Sequence, residues 1–259
     1  MKTLVIYLLL CVGLFAQATK VGGSGTSKVG GSGTSKVTGV VAAGPVSISA
    51  LTEGNDSDGT SSATTASVSP GSNKLLLLSV SSFRGDSTDP AAPTVTGNGL
   101  TWVQVATTLY DSTSSSRRRV SLFRALGASP SAGVITIDFA GANQGVIQWL
   151  LSECSNVDTS GTNGSGAVVQ SAATNSGGSP AGTTLAAFGS ANNATYFTAG
   201  WLGVVTSTAG TGFGNLEEIQ DAAQITTSSE FRNDNDTTPD MTCSPSASNG
   251  GIGIEIKRI

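Results

Sequence analysis

The chain has 259 residues, of which 38% are hydrophobic and only 12% are charged, with 17 acidic residues against 13 basic ones. This composition excludes the low-hydrophobicity, high-charge class of disordered proteins. A mildly acidic chain without a basic stripe is also a poor binder of nucleic acid, because such binding depends on neutralising phosphates. The chain has no histidine, which excludes Ser-His-Asp triads, Cys-His pairs and histidine-ligated zinc.

Residues 1–18 are typical of a secretory signal peptide. Lys2 supplies the positive charge, residues 4–15 form an apolar run, and Ala16-Gln17-Ala18 matches an A-x-A cleavage site. The apolar run is too short to span a bilayer, which needs about 20 residues. We therefore expect a secreted protein that does not span the membrane.

Residues 19–38 form a low-complexity tether. The octapeptide Lys20–Ser27 repeats unchanged as Lys28–Ser35, and a third copy begins at Lys36. Gly/Ser-rich chains of this kind behave as random coil, with a reach of about 25 Å for about 20 residues. We interpret the repeat as a spacer; the alternative is a contact segment whose lysines touch an anionic surface.

Beyond residue 39, short apolar or alternating runs are separated by Gly, Asn, Asp and Pro, which is the pattern of β-strands. Leu75–Leu78 fits a strand buried on both faces, and Asn98-Gly99 fits the type I′ turn of a hairpin. The predicted strands are 46–49, 64–69, 74–83, 94–96, 100–105, 120–126, 134–139, 145–154, 167–170, 183–188, 195–205, 216–219, 224–231, 241–243 and 252–257.

No stretch has the periodicity of a long amphipathic helix. Many short strands at even spacing predict an all-β, antiparallel β-sandwich that is jelly-roll-like or immunoglobulin-like. We expect one sandwich domain over residues 39–259, in which the Ser-, Gly- and Asn-rich residues 171–182 form a long loop. Trp102, Trp149 and Trp201 are predicted core residues.

Part of the chain resembles a known group of proteins. The segments concerned are Ser69–Leu78 (SPGSNKLLLL), Gly99–Trp102 (GLTW), Val120–Ala125 (VSLFRA), Gly133–Ile137 (GVITI) and Glu153–Val157 (ECSNV). In this order they resemble a loose group of uncharacterised bacterial and phage-associated secreted β-sandwich domains. The resemblance covers roughly residues 64–158 and is one of strands and turns. It implies a surface or virion-type sandwich and assigns no functional residue.

Glycoside hydrolysis is the catalytic chemistry that the composition leaves open, because it needs only two carboxylates. The candidates are Glu153, Glu217, Glu218 and Glu230. Glu217 and Glu218 are adjacent, so on a strand they face opposite sides and do not flank one bond. We regard these glutamates as ordinary acids and predict that the protein is not an enzyme.

Two acidic loops are candidate calcium sites, and calcium is the one cofactor that the sequence suggests. Calcium takes six to eight oxygen ligands. Neither loop has a complete set at the usual spacing, and Asn/Asp-rich turns also form for conformational reasons alone. The candidate ligands are Asp56 and Asp58 in the first loop and Asp234, Asp236 and Asp240 in the second.

Cys154 and Cys243 are the two cysteines that follow the signal peptide. An even number in an oxidising compartment suggests a disulfide. The alternative is two buried thiols, because free Cys packs as a small hydrophobe.

The sequence as a whole predicts a secreted, non-catalytic structural or adhesive interaction module of a cell surface, matrix or virion. Its partner would be a surface glycan, a protein or a second copy of itself. The first alternative is a carbohydrate-binding module, in which exposed Tyr110, Tyr196 or a tryptophan stacks on sugar rings. The low aromatic content, 5%, disfavours it. A glycoside hydrolase is a more remote alternative.

Overall fold

The computed structural model describes residues 43–111, 115–221 and 224–259, so the predicted signal peptide and tether lie outside it. These residues form seventeen β-strands and no helix. In chain order the strands are β1 (Ser47–Asp56), β2 (Ser62–Thr64), β3 (Leu75–Arg84), β4 (Thr94–Gly97), β5 (Leu100–Thr101), β6 (Val103–Tyr110), β7 (Arg117–Ala125), β8 (Ile135–Asp138), β9 (Val146–Ser155), β10 (Val168–Ser176), β11 (Ala181–Gly182), β12 (Ala194–Leu202), β13 (Thr206–Thr208), β14 (Gly214–Gln220), β15 (Ile225–Arg232), β16 (Asp240–Ser244) and β17 (Asn249–Ile256).

Two five-stranded antiparallel sheets face each other at the centre of the protein. The first sheet has the order β1-β9-β3-β7-β6, and the second sheet has the order β10-β17-β12-β15-β14. Strand β1 lies over β14, β9 over β15, β7 over β17, and β6 over β10. The prediction of an all-β, antiparallel sandwich is therefore confirmed.

A smaller sheet covers the outer face of each central sheet. The first cover is β2-β8-β4-β5 and the second cover is β11-β16-β13. Leu76 and Leu78 of the first sheet pack with Ile137 of the first cover. Phe197 of the second sheet packs with Met241 of the second cover. The described residues thus form four layers with three apolar interfaces between them.

Strand β3 shows how the sequence produces these layers. Leu75 and Leu77 pack between the two central sheets, whereas Leu76 and Leu78 pack under the first cover. Successive side chains of a strand point to opposite faces, so a strand buried on both faces must be apolar throughout. The prediction from the four consecutive leucines is confirmed.

The two halves of the chain have the same strand order. With β5 set aside, the strands of the first half correspond in sequence to those of the second: β1 to β10, β2 to β11, β3 to β12, β4 to β13, β6 to β14, β7 to β15, β8 to β16 and β9 to β17. Under this correspondence the order of the first sheet becomes that of the second sheet, and β2-β8-β4 becomes β11-β16-β13. Residues 47–155 and 168–256 are therefore two copies of one topology.

The correspondence extends to individual residues. Strands β6 and β14 each carry a β-bulge, between Gln104 and Ala106 in one half and between Asn215 and Glu217 in the other. The bulge of β6 begins opposite Phe123 of β7, and the bulge of β14 begins opposite Glu230 of β15. Phe123 and Glu230 are corresponding residues of the two halves. A bulge repeated at one position is a specific feature of a strand pair.

The halves face each other around an approximate two-fold axis. Strand β1 of the first half lies over β14, and its counterpart β10 lies over β6, the counterpart of β14. Ser79 and Thr198 are corresponding residues of β3 and β12. Their hydroxyl oxygens lie 2.8 Å apart in the central interface, as expected for corresponding residues close to such an axis.

Candidate functional site

Glu153, the first candidate acid, holds a loop rather than facing a cleft. Its Oε2 accepts a hydrogen bond of 2.6 Å from the backbone N–H of Gly71, in the loop before β3. The corresponding residue of the second half is Glu255, whose Oε1 accepts from the backbone N–H of Gly189 at 3.3 Å, in the loop before β12. Charge-assisted bonds of this kind are stronger than neutral ones. Each half therefore uses a glutamate of its last strand, β9 or β17, to fix the loop before the corresponding strand, β3 or β12.

Glu255 is nearly fully buried, at 2% exposed. Both of its carboxylate oxygens accept hydrogen bonds from side chains as well. The side chain of Asn193 donates to Oε1 at 2.5 Å, and that of Gln170 donates to Oε2 at 2.6 Å. Glu255 is not among the residues predicted from the sequence. The alternating pattern could have indicated it, because a glutamate between Ile254 and Ile256 lies on the opposite face of the strand from these isoleucines.

Glu217 and Glu218 point to opposite sides of β14, as predicted. Glu217 faces the first sheet, where Ser152 donates to its Oε2 at 2.7 Å. Glu218 faces outwards and accepts from the backbone N–H of Ser207 in β13 at 2.7 Å. Burial raises the pKa of Glu217 to about 7, and the negative charge of Glu53 adds to this shift.

Glu230 is a fully buried carboxyl beneath the second cover. Its Oε2 accepts from the backbone N–H of Gly210 at 2.7 Å, whereas its Oε1 has no hydrogen-bond partner among the described residues. Burial, with smaller contributions from the negative charges of Asp240 and Asp236, raises its pKa to about 8. Glu218 and Glu230 thus both fix the segment around β13.

Four surface cavities contain at most one acidic side chain each: Asp240 in the first, Glu255 in the second, none in the third and Asp111 in the fourth. The four candidate glutamates line none of these cavities. The arrangement that glycoside hydrolysis requires is two carboxyl groups about 5–10 Å apart across a cleft, and these four cavities do not provide it.

The first predicted calcium loop is stabilised by its own hydrogen bonds. Asp56 Oδ1 accepts from the backbone N–H of Asp58 at 2.9 Å, and Asp56 Oδ2 accepts from the hydroxyl of Thr60 at 3.0 Å. A carboxylate that binds the backbone two residues further on is the usual stabiliser of such a turn. Asp58 itself is exposed.

The second predicted calcium loop is organised by Arg232. This residue forms salt bridges with Asp234 and with Asp236, the latter at 3.2 Å, and Asp236 also accepts from the backbone N–H of Thr238 at 2.8 Å. Asp240 lies apart, at the start of β16. No group of three or more Asp, Glu or Cys side chains within residues 43–111, 115–221 and 224–259 is placed to hold a metal ion. Calcium binding stays a prediction.

The aromatic residues proposed to stack on sugars are not at the surface. Tyr110 is 2% exposed and Tyr196 is fully buried, so the prediction that they form a sugar platform is wrong. Trp149 and Trp201 are buried core residues as predicted. Trp102 is half-buried and packs against the cluster under the first cover. A strand residue is buried or exposed according to the face it occupies, which residue type alone does not determine.

The two cysteines are free thiols. Cys154 is buried between the central sheets, and Cys243 is half-buried at the second cover. The predicted disulfide is therefore not formed, because the two residues lie in different layers. Burial raises the pKa of the Cys154 thiol far above its usual value.

Corresponding edge strands of the two halves differ in charge. Strand β1 carries Glu53 and Asp56, whose counterparts in β10 are Ala173 and Ser176. From Gln170 onwards β10 has no charged residue and pairs only with β17 among the described residues. This segment was predicted as a loop, which is wrong; its low apolar content hid a strand whose side chains are mostly exposed.

A groove of about 640 Å³ lies between β10 and the second cover. Its walls carry hydroxyl groups and a single carboxylate, from Thr174, Thr183, Thr184, Thr238 and Asp240. It has no aromatic residue. Hydroxyl and carboxylate groups are hydrogen-bonding partners for a polar ligand.

Comparisons with protein families, with curated proteins and with solved structures found no match to this chain. The part of the chain that the structure describes contains no helix of the length and hydropathy needed to cross a bilayer.

Proposed function

We propose that this protein is a secreted, non-catalytic structural or adhesive module of a cell surface, matrix or virion, presented on its Gly/Ser-rich tether. The supporting observation is the use that the fold makes of its carboxylates. Glu153 and Glu255 fix the same loop in each half, and Glu218 and Glu230 fix the segment around β13. The side chains best suited to chemistry are thus supports of the four layers.

Catalytic residues and supporting residues respond differently to removal. A group held for catalysis commonly destabilises the fold, so its replacement is neutral or stabilising. A supporting carboxylate leaves a backbone N–H without a partner when it is removed, which costs about 1–3 kcal/mol. The sign of the stability change therefore separates the two roles.

The test is urea unfolding of the full chain and three variants. Glu153→Ala and Glu255→Ala should each lower the free energy of unfolding by about 1–3 kcal/mol. Glu53→Ala, which removes an exposed acid on β1, is the control and should change it by less than about 0.5 kcal/mol. Stability that is unchanged or increased in both test variants would contradict the proposal, as would hydrolysis of a polysaccharide that either variant abolishes.

A carbohydrate-binding module is the second candidate, now at the groove beside β10 rather than on aromatic residues. The hydroxyl-rich wall and the carboxylate of Asp240 favour a polyhydroxylated ligand. A glycan array probed with the full chain, with and without calcium, tests this candidate. Binding that Asp240→Asn abolishes and Asp58→Asn preserves would support it, and the absence of selective binding would contradict it.

A further inference from the structure

The edge of β10 lacks the devices that prevent strand pairing at β1 and β14. Strand β6, the fourth long edge, is also uncharged, but it is mostly half-buried, whereas β10 is mostly exposed. Charged residues on an edge strand and bulges within it discourage pairing with another chain. Strand β1 has Glu53, Asp56 and a mid-strand bulge, and β14 has Glu217, Glu218 and a bulge. Strand β10 is bulged only at its start, between Val168 and Gln170, and then runs regularly to Ser176 without a charge.

The backbone along this edge offers unpaired groups to an extended partner. In a strand the N–H and C=O groups of alternate residues point to each side, so an edge strand leaves half of them without a strand partner. Residues 170–176 pair with β17 on one side only, among the described residues. Ser171 and Ala173 to Ser176 are also exposed, although the side chains of Thr174 and Asn175 donate to the backbone carbonyls of Gly182 and Leu109.

The charge distribution favours a second copy of this chain as that partner. In an antiparallel pair of two β10 strands, Ala, Ser, Thr, Asn and Gln side chains face one another, so no like charges meet. The acidic edges β1 and β14 lie at the other side of the sandwich. Four inter-strand spacings separate them from β10, roughly 19 Å, which is beyond the Debye length of about 8 Å at physiological salt. The charges of β1 and β14 therefore do little to oppose this contact. The acids nearer to β10 are Asp240, which lines the groove beside it, and Asp111, which is paired with Arg118.

We propose that two copies of this protein associate through antiparallel pairing of their β10 strands, joining two five-stranded sheets into one continuous ten-stranded sheet. A two-fold contact of this kind is isologous, because the same strand contributes from both copies. The proposal rests on the proposed function, since it names the partner of a structural module. The contact is small, so we expect a dissociation constant in the micromolar range rather than an obligate dimer.

The structure supplies the variant that tests this pairing. Ala173→Glu places on β10 the residue that β1 has at the corresponding position, Glu53. Because Ala173 is exposed, the fold should not change, whereas the two glutamates of a dimer would lie close together. Ser129→Glu adds the same charge to an exposed loop far from the edge in sequence and is the matched control.

Sedimentation equilibrium of the full chain measures the outcome. The wild type and Ser129→Glu should dimerise equally, and Ala173→Glu should raise the dissociation constant at least tenfold with an unchanged melting temperature. In hydrogen exchange, alternate amides of residues 170–176 should become protected as protein concentration rises. A wild type that stays monomeric at about 1 mM, an Ala173→Glu dimer as tight as the wild type, or protection confined to another strand would each overturn the proposal. These readouts do not depend on the stability of the Glu153 and Glu255 variants, so each proposal can fail separately.

Discussion

The two halves of this protein have one topology and different interiors. Under the first cover, Phe123 packs with Leu76 and Leu78 in an apolar cluster. At the position of Phe123, the second half has the buried carboxyl of Glu230, bonded to Gly210. The comparison shows that strand order and bulge position do not require the same side chains. At this position the buried carboxyl of the second half is held by its hydrogen bond to Gly210, where the first half has only apolar contacts.

The central interface shows the same contrast. Leu77 and Leu122 belong to its apolar cluster, with Ala106 packed against it. Their counterparts in the second half are Tyr196, Ser229 and Glu217. One oxygen of each of these three side chains is buried without a hydrogen-bond partner among the described residues. Because unpaired buried polar atoms cost free energy, we expect these three side chains to stabilise the central interface less than their apolar counterparts in the first half do.

The largest expected change in the free energy of unfolding comes from placing in the first half the glutamate that the second half has at the corresponding position. Phe123→Glu would place a carboxyl in an apolar cluster, which should cost about 4 kcal/mol or more, because a buried charge needs a partner. Phe123→Leu is the control and should cost less than about 1.5 kcal/mol. Urea unfolding measures both. Equal costs for the two variants would mean that the outer clusters of the halves do not differ as described.

The pH dependence of stability should arise mainly in the second half. The pKa values of Glu217 and Glu230 are raised to about 7 and about 8 in the folded protein, against an ordinary value near 4.5 in the unfolded chain. Between pH 4.5 and 8 the folded state therefore holds more protons than the unfolded state. The contribution of these two carboxyls should be greatest below pH 4.5, fall as the pH rises to 8, and stay level above it, with a total loss on the order of a few kcal/mol. The pKa values of Asp86 and Asp158 are lowered to about 2 by their basic partners, so these two pairs weaken only below about pH 4.

Thermal melting at pH 5 and pH 8 measures this loss. The double variant Glu217→Gln/Glu230→Gln should have melting temperatures that differ much less between the two pH values. Asp58→Asn, at an exposed acid in the loop after β1, is the control and should retain most of the wild-type difference. A wild type that is equally stable at pH 5 and pH 8 would contradict the assignment of the two buried acids.

The smallest effect should come from the contact between the halves at the approximate axis. Ser79→Ala removes its bond to Thr198 and should cost about 1 kcal/mol. Thr198 also donates to the backbone carbonyl of Ser228 at 3.0 Å, so Thr198→Ala should cost somewhat more. A double-mutant cycle analysed by urea unfolding isolates the shared term. A coupling energy near zero would show that this contact does not contribute to the pairing of the halves.

Local sequence was sufficient where burial or turn chemistry decides the structure. The leucine run of β3 is buried on both faces, and β9 and β17 lie where apolar and alternating residues predicted them. Asn98 and Gly99 have φ values of 56° and 66°, as the predicted type I′ turn requires. The adjacent Glu217 and Glu218 face opposite sides, because the strand period is two.

Local sequence was insufficient where long-range pairing decides the structure. Residues 170–176 of β10 are polar, and β17 makes them a strand. Residues 183–188 were predicted as a strand, but the strand of this cover is the short β11, at 181–182. Cys154 and Cys243 belong to different layers, which no spacing in the sequence reveals.

By itself, the sequence determined the all-β class, the most buried strands, one hairpin turn and the absence of histidine chemistry. These properties follow from composition and from apolar residues that are either consecutive or alternate with polar ones, a pattern that each strand displays on its own. The tertiary structure alone decided the order of the strands, the repetition of one topology in two halves, the supporting roles of the glutamates and the uncharged edge of β10. The reason is that antiparallel pairing and layer contacts join residues far apart in the chain. Phe123 and Glu230, for example, occupy corresponding positions of the two halves, but one side chain is apolar and the other is a carboxyl.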